Sequence, residues 1–158
     1  MTRAEFEAVV DEALEALPKR FAHLVENVAI TVEDEPTDDD LESVDPGDDD
    51  DSELLGIYRG VALTERSHDM PLLPDEIAIF RGPINRVTRT RQEAVEEVRE
   101  TVIHELGHYF GNPHSPVADN VMSYERTGAP VFFDAAQGKR IAARARAYVR
   151  SGELLPLP

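Results

Sequence analysis

The sequence predicts a single α+β domain spanning residues 1–158, with three strands, one long helix and a helix near each end of the chain. Three observations favour this class. The length of 158 residues is the usual size of one domain. Stretches rich in β-branched residues lie between segments whose apolar residues recur at helical spacing. The element order is a helix, three strands, a long helix, an irregular stretch and a last helix, which predicts an α+β domain.

The first half of the chain is predicted to form one helix followed by three strands. Thr2 and Glu5 form a capping box before apolar residues at helical spacing, and Pro18 ends that helix or restarts it as a short turn. Residues 28–32 are rich in β-branched side chains and predict a strand. Two further extended stretches follow, at 54–64 and 76–81.

The second half is dominated by one long helix. Thr90 and Glu93 form a capping box at its start, and apolar residues at three- and four-residue steps predict about five turns. Gly111 is placed to end this helix, because helices commonly close on a glycine in the left-handed conformation. Asp134 and Gln137 open a last helix in the same way.

The net charge of −16 is concentrated in one segment. Residues 33–53 hold 13 acidic residues and no basic one, which leaves 19 acids against 16 bases elsewhere. That near balance argues against nucleic acid as a partner. The acidic segment is predicted to be a mobile, solvated loop, because a block of like charges buries no apolar surface. A calcium site is the alternative, although the ligand spacing of an EF-hand loop is absent.

Composition also limits the compartment and the metal chemistry. The chain has no cysteine, so disulfides and thiolate metal ligands are excluded. Its first residues carry acids and lack the apolar stretch of a signal peptide. No apolar run approaches the roughly 18 residues of a membrane span. A cytoplasmic protein without a membrane partner is therefore expected, and the sequence carries no indication of its oligomeric state.

A histidine-rich motif lies at the end of the long helix. His104 and His108 are four residues apart, so their rings lie on one helix face and can approach one zinc ion at about 2.0–2.1 Å. Glu105 lies beside them and can hold a water molecule. Gly111 lets the chain turn away, which brings His114 within reach of the same metal. Three nitrogen ligands leave one tetrahedral position open, the pattern typical of a catalytic zinc.

This arrangement predicts hydrolysis of peptide bonds with one Zn²⁺ per chain. Zinc lowers the pKa of a bound water and stabilises an oxyanion. Glu105 then takes a proton from the water and passes it to the leaving amine. Two alternatives stay open: a zinc-binding regulatory or interaction module without activity, and a zinc hydrolase acting on a non-peptide amide or ester. The presence of Glu105 favours catalysis, because a structural site needs no base.

The motif resembles that of a known class of enzymes. The string HELGHYFGNPH has the form HExxHxxGxxH, the extended zinc-binding motif of the metzincin metallopeptidases, and the following VMSY resembles their Met-turn. The resemblance implies that Met122 forms an apolar floor beneath the three imidazoles. It leaves two roles for Tyr124, which either reaches the zinc or the oxyanion or packs against the turn.

The N-terminal two-thirds resembles a second group, the minimal zincin-like bacterial metallopeptidases, which are small and cytoplasmic. The matching stretches, within about residues 5–111, are FEAVVDEALEALP, NVAITVEDEP, LLGIYRGVALTER, LPDEIAIFRGPINR and VRETVIHELGHYFG. This resemblance implies a zincin-like domain with a small mixed sheet packed against the active-site helix. The chain departs from that group after Gly111, since the third ligand of its common members is often a carboxylate whereas His114 follows here.

The substrate is predicted to be a peptide or protein that pairs with a strand beside the active-site helix. Residues 76–81, just before that helix, are the candidate strand. Other polar side chains are predicted not to bind the metal directly. His23 and His68 are expected at the surface or in contact with the ligands. Asp119 and Asn120 are expected to form a turn, with support of the ligands as the alternative. A solvated surface role is expected for three arginines, with binding of a substrate carboxylate as the alternative: Arg66, Arg81 and Arg86.

Overall fold

The fold is described from a computed structural model that covers residues 1–25, 28–44, 53–60, 75–123, 127 and 129–151. The α+β class is confirmed. Helices and a small mixed sheet build one core, in which apolar side chains from the first helix, the sheet and the long helix meet. The largest fully buried side chains include Tyr109, Phe6, Phe80, Phe110, Ile77, Ile79, Ile84, Leu106 and Met122.

The N-terminal helix α1 (Arg3–Glu15) begins as the sequence predicts. The Thr2 side chain accepts from the Glu5 amide, and the Glu5 carboxylate accepts from the Thr2 amide at 2.8 Å. The apolar face of α1 is buried, with its core residues at helical spacing. A second helix, α2 (Lys19–Leu24), begins directly after Pro18, so this proline separates two helices.

Three strands form a mixed sheet in the order β1-β3-β2. Strand β1 (Ala29–Glu33) pairs in parallel with β3 (Glu76–Phe80), and β2 (Gly56–Arg59) pairs antiparallel with β3. Strand β2 covers four residues of the predicted stretch 54–64, and residues 61–64 lie outside the described part of the chain.

The central position of β3 overturns one prediction. Each residue of β3 faces a partner in β1, and those from Glu76 to Ile79 face a partner in β2 as well. A strand paired on both sides has no free backbone groups to offer a substrate. The prediction that residues 76–81 bind a substrate strand is therefore wrong.

The acidic segment is more ordered than its composition predicted. Glu33 ends β1, and helix α3 (Asp38–Ser43) opens with a capping box between Thr37 and Asp40. The first half of the segment thus contains regular structure and is not a loop throughout, while residues 45–52 lie outside the described residues and the mobility of the segment stays a prediction. The physical reason is long-range pairing, because arginines from β2 and from a later helix neutralise these carboxylates.

Arg59 is the main partner of the acidic segment. Its guanidinium binds Glu33 at 2.6 and 2.9 Å and Asp40 at 2.8 and 2.9 Å. The Arg59 hydrogen bonds lower the pKa of the Asp40 carboxyl to about 2, against the opposing effect of burial. Arg81 and Arg86, predicted to be solvated, also form ion pairs with this segment, to Asp34 in one case and to Glu35 and Glu53 in the other.

Helix α4 (Arg81–Val87) is an element that the sequence analysis does not predict; it contains Gly82 and Pro83, two residue types with low helix propensity. Pro83 lies in the first helical turn, where no intrahelical donor is lost. The long helix α5 (Arg91–Tyr109) follows. Thr90 accepts from the Glu93 amide at 3.1 Å, and the Glu93 carboxylate accepts from the Arg89 amide at 2.7 Å.

Helix α5 packs against α1, β2 and β3, which places its C-terminal turns beside the edge strand β2. The last helix, α6 (Ala135–Ser151), begins at the predicted capping box, in which Asp134 and Gln137 exchange hydrogen bonds of 2.8 and 2.9 Å. None of the helices in the described ranges is both long and apolar enough to cross a bilayer.

Candidate metal centre

The structure brings together the three side chains predicted to bind zinc. The Nε2 atom of His108 lies 3.0 Å from that of His104 and 3.0 Å from that of His114. One ligand atom from each ring falls within 4.8 Å of the others. His104 and His108 reach this point from successive turns of α5, because a step of four residues returns to the same helix face.

Gly111 turns the chain so that His114 can join them. Its φ of 73° is the left-handed conformation predicted for this residue. The Gly111 amide donates to the His108 carbonyl at 2.7 Å, and the Asn112 amide donates to the Gly107 carbonyl at 2.8 Å. These two bonds form a Schellman motif, which satisfies carbonyls that the end of α5 would leave unpaired. A β-carbon at Gly111 would also lie 1.8 Å from Nη1 of Arg144.

The hydrogen bonds of the rings define their tautomers. Nδ1 of His104 lies 2.6 Å from the Val121 carbonyl oxygen, and Nδ1 of His108 lies 3.1 Å from the Asn112 carbonyl oxygen. A carbonyl oxygen only accepts, so both Nδ1 atoms donate and both Nε2 atoms keep a lone pair. The Nε2 atoms of His104 and His108 are therefore both acceptors, so they lie 3.0 Å apart without a hydrogen bond between them.

A shared cation explains such a contact. Tetrahedral zinc with nitrogen ligands at about 2.0–2.1 Å brings the nitrogens to about 3.3 Å from one another, close to the spacing found here. Burial, and then the neighbouring His104 and His114, lower the pKa of the His108 imidazole to about 3. The ring therefore stays neutral at physiological pH, as a metal ligand must. The donor set fits zinc.

Glu105 lies between this cluster and the edge strand. Only 7% of the residue is exposed, and its Oε2 atom accepts from the Tyr58 amide of β2 at 2.8 Å. Burial raises the pKa of its carboxyl to about 8, although the Tyr58 hydrogen bond acts in the opposite direction. A cavity of about 130 Å³ lies beside His104 and Glu105 and is also lined by residues 53–56.

Met122 is fully buried below the last turns of α5. A β-carbon added to Gly107 would lie 2.2 Å from the Met122 sulfur, so the thioether packs directly on the helix backbone one residue before His108. The sequence analysis did not single out Gly107. Its signal was available, because a glycine inside a helical pattern often marks a close approach.

Of the remaining candidates, Asp119 and Asn120 form the predicted turn. Asp119 has a φ of 59°, and Oδ1 of Asn120 accepts from the Met122 amide at 2.9 Å. Tyr124, His68 and Arg66 lie outside the described residues, as does the side chain of His23. Two hydrogen bonds could not be predicted from the sequence, because their partners belong to different elements. They join the Tyr58 amide to Glu105 and the Asn120 side chain to Gln137.

Comparison with known proteins agrees with this geometry. A family model described as "Zincin-like metallopeptidase" matches residues 25–122, well over half of the chain. The chain therefore belongs to the zincin-like metallopeptidases, a membership that implies zinc binding and hydrolase chemistry. No curated protein matches the chain. The matched range includes the three histidines, Glu105 and Met122, whereas α6 lies beyond its end.

Proposed function

We propose that this protein is a zinc-dependent metallopeptidase that holds one Zn²⁺ per chain. His104, His108 and His114 are the zinc ligands, and Glu105 is the general base. The observation that carries this proposal is the approach of the imidazole Nε2 atoms to 3.0 Å, two of them with lone pairs, beside a buried carboxylate. Nothing else in the described part of the chain gathers three such ligands.

Glu105 is placed to move protons during hydrolysis. When bound, zinc would acidify a water molecule and polarise the carbonyl of the substrate. Glu105 takes a proton from the attacking water and returns it to the leaving amine. The Tyr58 amide holds one carboxylate oxygen, which leaves the other for the water.

The side of β2 that faces away from β3 is the proposed binding site for the substrate backbone. Among the described strands, β2 pairs with β3 on one side only. The Tyr58 amide points away from β3, since it donates to Glu105 of the neighbouring helix. An extended peptide added beside β2 would lie next to the histidine cluster. This arrangement supports a peptide or protein as the substrate. Strand β2 thereby replaces residues 76–81 as the proposed substrate-binding strand.

Met122 and Tyr124 have proposed supporting roles of the metzincin kind. The burial of Met122 against Gly107 supports an apolar floor beneath the imidazoles, as the Met-turn resemblance implies. Tyr124 follows two residues later, and its role as zinc ligand, oxyanion donor or packing residue stays a proposal. A cytoplasmic location is likewise retained as an expectation from the sequence.

Two alternatives differ from the proposal in their chemistry. A zinc module without activity has no need for a base, so the burial of Glu105 beside the ligands disfavours it. A hydrolase for a non-peptide amide or ester would use the same groups. The position of β2 at the outside of the described sheet, beside the histidine cluster, favours a peptide over such a substrate, because main-chain pairing requires a peptide backbone.

Metal analysis and cleavage of a peptide library would test the proposal. We expect one zinc per chain in the wild type and in Glu105→Gln, with cleavage by the wild type only. Glu96→Gln, at an exposed position of the same helix, is the matched control and should cleave like the wild type. Zinc binding without cleavage of any peptide by the wild type would contradict a peptidase. Cleavage of esters alone would favour the non-peptide hydrolase.

A further inference from the structure

The orientation of the metal ligands depends on two backbone carbonyls. His104 donates to the Val121 carbonyl and His108 to the Asn112 carbonyl, and these bonds set the direction of each ring. Both carbonyls lie in irregular chain after α5, where the backbone is held by the Schellman motif at Asn112 and by a β-bridge between Asn120 and Phe132. Whatever holds this chain therefore also orients the imidazoles.

One support reaches the Val121 carbonyl. Asn120 is fully buried, and its side chain closes a turn across Val121 by accepting from the Met122 amide at 2.9 Å. The Asn120 amide group is held in turn by Gln137, with a bond of 2.8 Å in one direction and 3.1 Å in the other. Gln137 is only 2% exposed and also accepts from the Asp134 amide in the capping box of α6.

A second support reaches the Asn112 carbonyl. Nε of Arg140 donates to the side-chain oxygen of Asn112 at 2.7 Å, and the buried Asn112 supplies the carbonyl that orients His108. One turn later, the guanidinium of Arg144 packs on Gly111, where the chain leaves α5. The positions 137, 140 and 144 follow the three- and four-residue spacing of one helix face.

We propose that α6 positions the metal ligands, with Gln137 fixing the acceptor of His104 and Arg140 fixing the acceptor of His108. Both are positioning residues, since each acts on an imidazole through the residue that it holds. This inference rests on the proposed metal centre. It assigns a role to a helix that lies beyond the range matched by the family. Loss of such outer contacts typically weakens metal binding about 10- to 100-fold.

The test compares Gln137→Glu and Arg140→Gln with the wild type. Gln137→Glu keeps the oxygen that accepts from Asp134 but removes the donor to Asn120. Arg140→Gln removes the bond to Asn112 from a residue that is otherwise exposed. Arg146→Gln is the matched control, because it removes the same charge from an exposed position of α6. Circular dichroism of each metal-free variant checks that it is folded.

Zinc affinity is measured by competition with a chromophoric chelator, and the ligand geometry by the visible spectrum of the Co²⁺ form. We expect a zinc affinity about 10- to 100-fold lower in both variants, a shifted Co²⁺ spectrum, and no change in Arg146→Gln. Wild-type affinity and spectrum in both folded variants would overturn the proposal. A wild type that binds zinc without cleaving peptides would contradict only the peptidase, since these readouts need no activity.

Discussion

The backbone amide of Tyr58 donates to the carboxylate of Glu105 across 2.8 Å and so joins the edge strand β2 to the active-site helix α5. The bond fixes the proposed base relative to the strand on which a substrate would lie. The packing of β2 on α5 buries this carboxylate and raises its pKa, although the hydrogen bond itself acts in the opposite direction. The proposed base and the proposed binding edge thus form one structural unit.

This relationship predicts that the reach of the base matters as much as its charge. In Glu105→Asp the carboxylate recedes by one methylene and loses either the Tyr58 amide or the attacking water. We expect kcat to fall by at least about 100-fold, within the usual contribution of a general base. Zinc content should stay at the wild-type value. The measurement is steady-state cleavage of a peptide found in the library, and undiminished turnover would show that the reach of this carboxylate does not limit the reaction.

Gly111 and Gly138 should respond to alanine in opposite directions. Gly111→Ala places a β-carbon on a left-handed residue and against Arg144, so we expect it to lower the free energy of unfolding by about 1–3 kcal/mol. Gly138→Ala meets no atom within 4 Å and lies inside α6, so it should raise stability by roughly 0.5–1 kcal/mol. Urea unfolding of the metal-free proteins gives both values. Equal changes in the two variants would argue against the turn described at Gly111.

Gly107 and Met122 should be energetically coupled. Gly107→Ala alone forces the Met122 sulfur away from α5, an overpacking that costs about 1–3 kcal/mol. With Met122→Ala as background the same substitution has room, and the higher helix propensity of alanine should make it neutral or favourable. A double-mutant cycle with urea unfolding measures the coupling. Additive effects would show that the thioether does not pack on the helix.

The ionised Asp40 carboxylate should make the free energy of unfolding depend on pH in the acidic range. Its folded pKa of about 2 lies below its ordinary value of 3.8, so the carboxylate stabilises the protein above pH 3.8. That contribution is lost as the pH falls through the folded pKa. Asp40→Asn should therefore lower the free energy of unfolding by about 2 kcal/mol near pH 6, and by progressively less below pH 4.

The measurement for Asp40 is denaturant unfolding between pH 2.5 and pH 6. Asp39→Asn is the control, because Asp39 is exposed on the same helix and forms no part of the Arg59 cluster. A constant difference between Asp40→Asn and the wild type across this range would contradict the ion pair. An equal loss in Asp39→Asn would point to general charge effects in the segment.

Local signals predicted the helices and the histidine cluster well. The capping residues Thr2, Thr90 and Asp134 mark the true starts of α1, α5 and α6, because a cap satisfies amides only two or three residues away. The left-handed Gly111 was foreseen for the same reason. The whole ligand set falls between His104 and His114, so its geometry depends on one helix end and one turn.

Features that depend on contacts between distant residues could not be predicted from the sequence. The acidic composition predicts a loop where helix α3 forms, because the arginine that neutralises this helix lies on the distant strand β2. The sequence predicts a substrate-binding strand at residues 76–81, although β3 occupies the centre of the sheet. The order of the strands cannot be predicted from the alternation of apolar and polar residues within one strand. That alternation indicates which face of the strand is buried and not which strand lies next to it.

The sequence by itself determined the cluster of three imidazoles, since HExxH on a helix and a glycine before the third histidine dictate local geometry. Only the tertiary structure decided how the imidazole rings are oriented. The Val121 carbonyl, Gln137, Arg140 and the Tyr58 amide come from separate elements, and their convergence depends on how α6 and β2 pack against α5. Contacts of this kind form only when distant segments pack together, so they cannot be predicted from the residues of any one segment.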